Sequence, residues 1–78
     1  MNLILYSGPH CTLCEKAKQV IWPVIAATGH QLQEVDITTD VELLRRYRLS
    51  IPVLAQEAGD ELFWPFDSEQ LVTWLETN

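Results

Sequence analysis

The chain has 78 residues, with 11 Asp plus Glu against 5 Lys plus Arg, a net charge of -6 and a hydrophobic fraction of 47%. That length holds one compact domain and no second one, and the apolar content excludes a disordered chain. The negative balance excludes general nucleic-acid binding, which needs a positive surface toward the phosphates, and no apolar run reaches the roughly 18 residues that cross a bilayer.

Leu3-Ile4-Leu5-Tyr6 is a short apolar run stopped by Ser7-Gly8-Pro9, the pattern of a buried strand. Its length and the absence of a basic start argue against a signal peptide. The expected location is therefore the cytosol, where thiols are normally reduced. From Cys11 to Thr28, the residues Cys14, Ala17, Ile21, Ile25 and Thr28 recur at helical spacing, and Gly29 follows as a C-terminal cap. Pro23 lies inside this helix, where it removes a donor and crowds the carbonyl of Gln19; a kink or break is expected there.

Leu32 to Ile37 alternates apolar and polar residues and predicts a second strand. Thr39 and Glu42 have capping-box spacing and open a short helix through Leu43, Leu44 and Tyr47. Val53-Leu54-Ala55 and Leu62-Phe63-Trp64, joined through the turn Ala58-Gly59-Asp60, predict an antiparallel hairpin. Asp67 or Ser68 caps a last helix whose apolar face carries Leu71, Trp74 and Leu75. The order βαβα then ββα predicts an α/β fold, with the first two strands parallel and helices on both faces of the sheet.

Chemistry concentrates at Cys11-Thr12-Leu13-Cys14, directly after the first strand and at the start of the first helix. The first helical turn presents backbone N–H groups without intrahelical partners, and the macrodipole adds partial positive charge. Both favour Cys11 as thiolate, below the ordinary thiol value of about 8.5. Cys14 lies one turn on, so the sulfurs can bond while the backbone stays helical. Redox exchange, a pair of inert core cysteines, a zinc site completed by His10 and His30, and a metal or cluster shared between two chains through Cys11 are the competing readings. The ligand count disfavours zinc within one chain, and no metal ligand is assigned.

His10 precedes the first cysteine and can raise its thiolate population or shuttle a proton. Pro52 opens the third strand, and Ile51-Pro52 taken alone favours the ordinary trans bond. A cis bond would instead set the backbone of Ile51 beside Cys11, as an edge for an extended ligand. Lys16 and Lys18 read as solvated, Trp22, Trp64 and Trp74 as core and rim, and Arg45, Arg46 and Arg48 as a solvated helix face first and a contact for an acidic partner second.

The first strand, the run Cys11-Thr12-Leu13-Cys14-Glu15-Lys16-Ala17-Lys18, the Asp36 ending strand two and the segment Tyr47 to Leu54 together resemble the glutaredoxin-like proteins. Those proteins typically read C-P-Y-C-x-x-A-K and Y-x-x-x-x-V-P-V at the corresponding places. The resemblance spans nearly all of residues 1–78 as a single domain. It implies a thioredoxin-like three-layer sandwich with a four-stranded mixed sheet, a nucleophile at Cys11, a resolving Cys14 and a cis Pro52. His10, Leu13, Ile51 and Pro52 become the candidate substrate-binding residues. The implied activity is thiol–disulfide exchange with a disulfide-containing protein or a low-molecular-weight thiol. No cofactor is tightly bound, glutathione is a candidate reductant, and the chain acts as a monomer. Thr12-Leu13 stands where the family has Pro-Tyr, and Trp64-Pro65-Phe66-Asp67 replaces the Gly-Gly turn that lets glutathione approach. These departures motivate the alternative of a non-enzymatic binding module on the same scaffold.

Overall fold

A computed structural model describes residues 2–77; Met1 and Asn78, the ends of the expected domain, lie outside the described residues. Its elements are β1 (Asn2–Ser7), α1 (Thr12–Thr28), β2 (Gln31–Asp36), a 3₁₀ turn (Ile37–Thr39), α2 (Val41–Tyr47), β3 (Val53–Gln56), β4 (Glu61–Phe63) and α3 (Ser68–Thr77). The strands form one mixed sheet in the order β2-β1-β3-β4. β1 and β2 run parallel through the α1 crossover, while β1–β3 and β3–β4 are antiparallel. The α/β three-layer arrangement expected from the sequence is the one observed.

Side-chain alternation divides this sheet into two cores. Leu3, Leu5 and Leu54 point to one face and pack with Ala17, Ile21, Val24 and Ile25 of α1, Phe66, and Leu71 of α3. Leu5 and Leu54 pair across β1 and β3 and are fully buried. Burial of such a side chain stabilises by about 1.5–3 kcal/mol. Val53 points to the opposite face, where it meets Ile37 and Tyr47 under partly buried Tyr6, Leu43 and Ile51. Tyr6 and Tyr47 stack there with ring centroids 4.4 Å apart.

Several boundaries differ from the sequence expectation. β2 ends at Asp36, because the Asp36 side chain accepts from the Thr38 N–H at 2.9 Å and turns Ile37 into a 3₁₀ segment. Alternation along β2 is imperfect: Leu32 and Val35, three apart, occupy opposite faces, and Glu34 shares the face of Leu32. The cap of α2 is Asp40, not Thr39. The Asp40 carboxylate accepts from the Glu42 N–H at 2.8 Å, while the Thr39 hydroxyl donates to the Asp36 carbonyl at 2.8 Å. α1 runs unbroken through Pro23. Gln19, Trp22 and Pro23 all lie on its exposed side, away from the core. Gly29 closes α1 in the left-handed region at φ 77, with its N–H on the Ile25 carbonyl at 2.9 Å.

Lys18 is not simply solvated. Its ammonium lies 2.8 Å from Glu34 of β2 and 3.3 Å from Glu15, and the buried Ser7 hydroxyl donates to the same Glu34 oxygen at 2.7 Å. This network ties α1 to β1 and β2. The hydrogen bond from Lys18 holds the Glu34 carboxyl below the ordinary carboxylate range, with Ser7 adding to it. In return, Glu34 holds the Lys18 ammonium above its ordinary range.

Two predictions follow from these contacts. Asp40→Ala loses about 1 kcal/mol in urea unfolding, as a lost N-cap does, whereas Thr39→Ala loses less than half of that. Glu34 titrates lower when folded, so its contribution is complete above the ordinary glutamate value of about 4.3 and disappears as pH falls below it. The stability gap between wild type and Glu34→Gln, under about 1 kcal/mol for so exposed a pair, is therefore largest near neutrality and closes in acid. Urea midpoints measured across that range check it.

Candidate functional site

Ser7 ends β1, and Gly8-Pro9-His10 carries the chain to the start of α1. Cys11 is the N-cap of that helix, with extended backbone at φ -98 and ψ 98. Its sulfur accepts the Cys14 backbone N–H at 3.1 Å. A sulfur thus occupies the place that a serine or aspartate oxygen commonly fills, and it satisfies one of the orphan donors of the first turn. The Cys11 carbonyl accepts from the Glu15 N–H at 3.3 Å, so the helix begins without distortion around the pair.

Cys11 and Cys14 are joined by a disulfide, with Cα atoms 5.2 Å apart. Their environments differ. Cys14 is 2% exposed, whereas Cys11 is only half-buried. An incoming group reaches Cys11 from solvent through an open depression lined by Gly8, Pro9, His10, Cys11, Thr12 and Glu15. Cys14 has no comparable approach. Of the two sulfurs, Cys11 is therefore the one open to attack from solvent.

The four residues expected to bind substrate take different positions. His10 is exposed and left-handed at φ 58, a region that histidine enters more readily than most side chains. It lines the depression immediately before Cys11. Leu13 stands between the cysteines and is 46% exposed. Pro52 is buried at the start of β3, and the Ile51–Pro52 peptide is cis. The residues taken alone favoured trans, and the structure overturns that expectation in favour of the one carried by the resemblance. Trp64–Pro65 is a second cis bond, which sequence reasoning missed.

Ile51 reaches the cysteine loop through Gly8. A Cβ added at Gly8 would stand 3.0 Å from the Ile51 Cδ1 atom, so a side chain there would require the tip of Ile51 to shift by a few tenths of an ångström. The segment preceding β3 thus lies against the loop at Gly8, three residues before Cys11. Ser7-Gly8-Pro9 was legible only as a strand stop, and nothing local in it signals this approach.

Polar groups near these elements are mostly committed. Tyr47 donates its hydroxyl to Glu61 of β4. Burial, reinforced by Glu61, pushes the Tyr47 hydroxyl up to about 12, so it stays protonated and serves as a strut between α2 and β4. At α3, the Gln70 N–H donates to Asp67 at 2.7 Å and the Asp67 N–H donates to the Gln70 side chain at 2.9 Å. This reciprocal cap places a carboxylate on the helix N-terminus. His30 pairs with the Thr28 hydroxyl at 2.7 Å, beyond the far end of a helix about 25 Å long. Among the described residues, no cluster of three or more His, Cys, Asp or Glu side chains is placed to hold a metal ion. No helix among them is long and apolar enough to cross a membrane.

Comparison with known proteins agrees with this geometry. The X-ray structure of the protein XcR50 from X. campestris superposes with a TM-score of 0.83 at 36% identity, covering 97% of each chain. The solution structure of XcR50 gives 0.81 at 37% identity, over 100% of this chain and 96% of that one. A malarial protein shares the fold alone, at 16% identity and a TM-score of 0.72, over 97% and 93% of the two chains. No curated protein matches. The model of the glutaredoxin-like domain (DUF836) matches residues 2–76, nearly every residue that builds the sheet, its helices and the cysteine pair, and the chain belongs to that family.

Proposed function

We propose that this protein is a thiol–disulfide oxidoreductase in which Cys11 is the nucleophile and Cys14 the resolving thiol. The observation that carries the reading is the position of the Cys11 sulfur, half-buried at the N-cap of α1 and 3.1 Å from the Cys14 backbone nitrogen. In the reduced protein, the same N–H and the helix dipole stabilise negative charge on that sulfur.

The reaction then runs in two exchanges. The Cys11 thiolate attacks one sulfur of a substrate disulfide. A Cys11–substrate disulfide forms, the substrate S–S bond breaks, and the other substrate sulfur leaves as a thiolate that takes a proton from solvent. Cys14 loses its proton and attacks the Cys11 sulfur. The Cys11–Cys14 bond forms and the second substrate thiol departs. Two electrons pass from the protein to the substrate, which ends as two thiols while the protein ends as its disulfide. The sulfurs carry both electrons, and no resident cofactor is required.

His10, Leu13, Ile51 and Pro52 act in this reading as the surface over which substrate passes. Regeneration of the dithiol requires a reducing compartment such as the cytosol, and a thiol or dithiol reductant. The reciprocal Asp67–Gln70 cap supports a reductant other than glutathione. A negative tripeptide gains little where the helix N-terminus already holds a carboxylate and Trp64, Pro65 and Phe66 replace a small turn.

The test is a trap. Reduced Cys14→Ser protein mixed with a peptide disulfide accumulates one covalent adduct, which mass spectrometry of the digest places on Cys11. Wild type consumes the same disulfide without accumulating the adduct, and Cys11→Ser falls to the uncatalysed rate. Absence of any adduct, or adduct formation on Cys14 in wild type at a rate matching Cys11, contradicts the proposal.

A further inference from the structure

From the outer face of α2 we infer a docking surface for an acidic segment of another protein. Helical spacing places Val41, Leu44, Arg45 and Arg48 along one stripe, and these four line a common open groove. The inner face of the same helix is already spoken for. Leu43 and Tyr47 pack into the second core, and Arg46 lies over the Tyr47 ring at 5.2 Å and 3.7 Å from Glu61. The outer face has no such cover: Val41 is 71% exposed and Leu44 38%, and Leu49, just past the helix, is 90% exposed. Half of the six large apolar side chains left exposed among the described residues come from this one stretch of nine residues. Scattered exposed leucines are ordinary; a stripe of them at i, i+3 beside two arginines is an interface composition.

Charge selects the occupant. With Arg46 paired to Glu61, residues 41–49 offer Arg45 and Arg48 against Glu42, a local +1, while the rest of the chain, Arg46 included, carries -7. The Arg45–Glu42 pair is long at 4.0 Å and three-quarters exposed on both sides, so it leaves the Arg45 guanidinium available. An acidic partner meets net repulsion from the rest of the surface and net attraction here, which favours this landing site and its orientation. An anionic membrane fits less well, because a seven-residue helix offers little depth of insertion and the bulk of the chain opposes the approach. The required ligand is a protein segment that presents aliphatic side chains between carboxylates.

The surface leads toward the cysteines. Leu49 lies two residues before Ile51, whose side chain closes on Gly8 ahead of Cys11. A partner seated on α2 is thus held beside the loop that carries the redox pair. Only this last role rests on the proposed oxidoreductase activity; the docking itself does not.

The test therefore avoids thiol chemistry. Isotope-labelled wild-type protein in its disulfide form is titrated, under NMR, with a synthetic helical peptide bearing leucines on one face and glutamates on the other. The same leucines set among lysines form the control. Saturable shifts confined to residues 41–49 and their neighbours are expected with the glutamate peptide and not with the lysine peptide. Arg45→Glu with Arg48→Glu weakens that binding roughly tenfold, as two exposed attractions become repulsions. Leu49→Ser weakens it without changing charge, and all three positions are exposed, so the fold persists. Equal or tighter binding of the lysine peptide, shifts located elsewhere, or no binding overturns the inference. So do shifts of the same residues caused instead by phosphatidylserine vesicles or by raising the protein concentration alone, which would assign the surface to a membrane or to a second copy.

Discussion

The interaction on which the molecule's chemistry depends is the hydrogen bond from the Cys14 backbone to the Cys11 sulfur. A helix must begin somewhere, and its first N–H groups must find acceptors. Here the acceptor is a sulfur, supplied by the last residue before the helix. The second cysteine, one turn later, both donates that backbone bond and lies within reach of a covalent one. The geometry that caps the helix is therefore the geometry that pairs the sulfurs. No separate device is needed to bring them together.

The rest of the fold holds that helix end in place. α1 is fixed along its length by the core it shares with Leu3, Leu5 and Leu54, and near its start by Lys18 against Glu34 and Ser7. On the other face of the sheet, Tyr47 stacks on Tyr6 and bonds to Glu61, which sets α2 against β1 and β4. Just before β3, the Ile51 side chain reaches the cysteine loop at Gly8. The site is thus a meeting of three segments: the end of β1, the start of α1 and the start of β3.

Much of this was legible in the chain. An apolar run, a Ser-Gly-Pro stop and a C-x-x-C at the head of a periodic segment located both cysteines on a helix start. Gly29 marked its end, and Leu71, Trp74 and Leu75 marked the inner face of α3. What escaped was decided by contacts distant in sequence or by near-equal local options. Thr39 and Asp40 are both good caps, and the outcome turned on Asp36 drawing Thr39 into a preceding 3₁₀ turn. Lys18 looked solvated because its partner, Glu34, sits on another strand. An X–Pro bond prefers trans by only about 0.5–1 kcal/mol, so Ile51–Pro52 and Trp64–Pro65 follow their tertiary surroundings rather than their own sequence. Pro23 was expected to kink or break α1, yet it lies on the exposed side and the helix runs on to Thr28.

The central claim is electrostatic, and thiolate titration tests it most directly. The reduced Cys14→Ser protein retains one thiol, whose ionisation is followed by ultraviolet absorbance as pH is raised. A midpoint below the ordinary thiol value of about 8.5 is expected, because Cys11 still faces the open end of α1. A midpoint at or above that value would contradict it and leave the cysteine pair as a structural bridge.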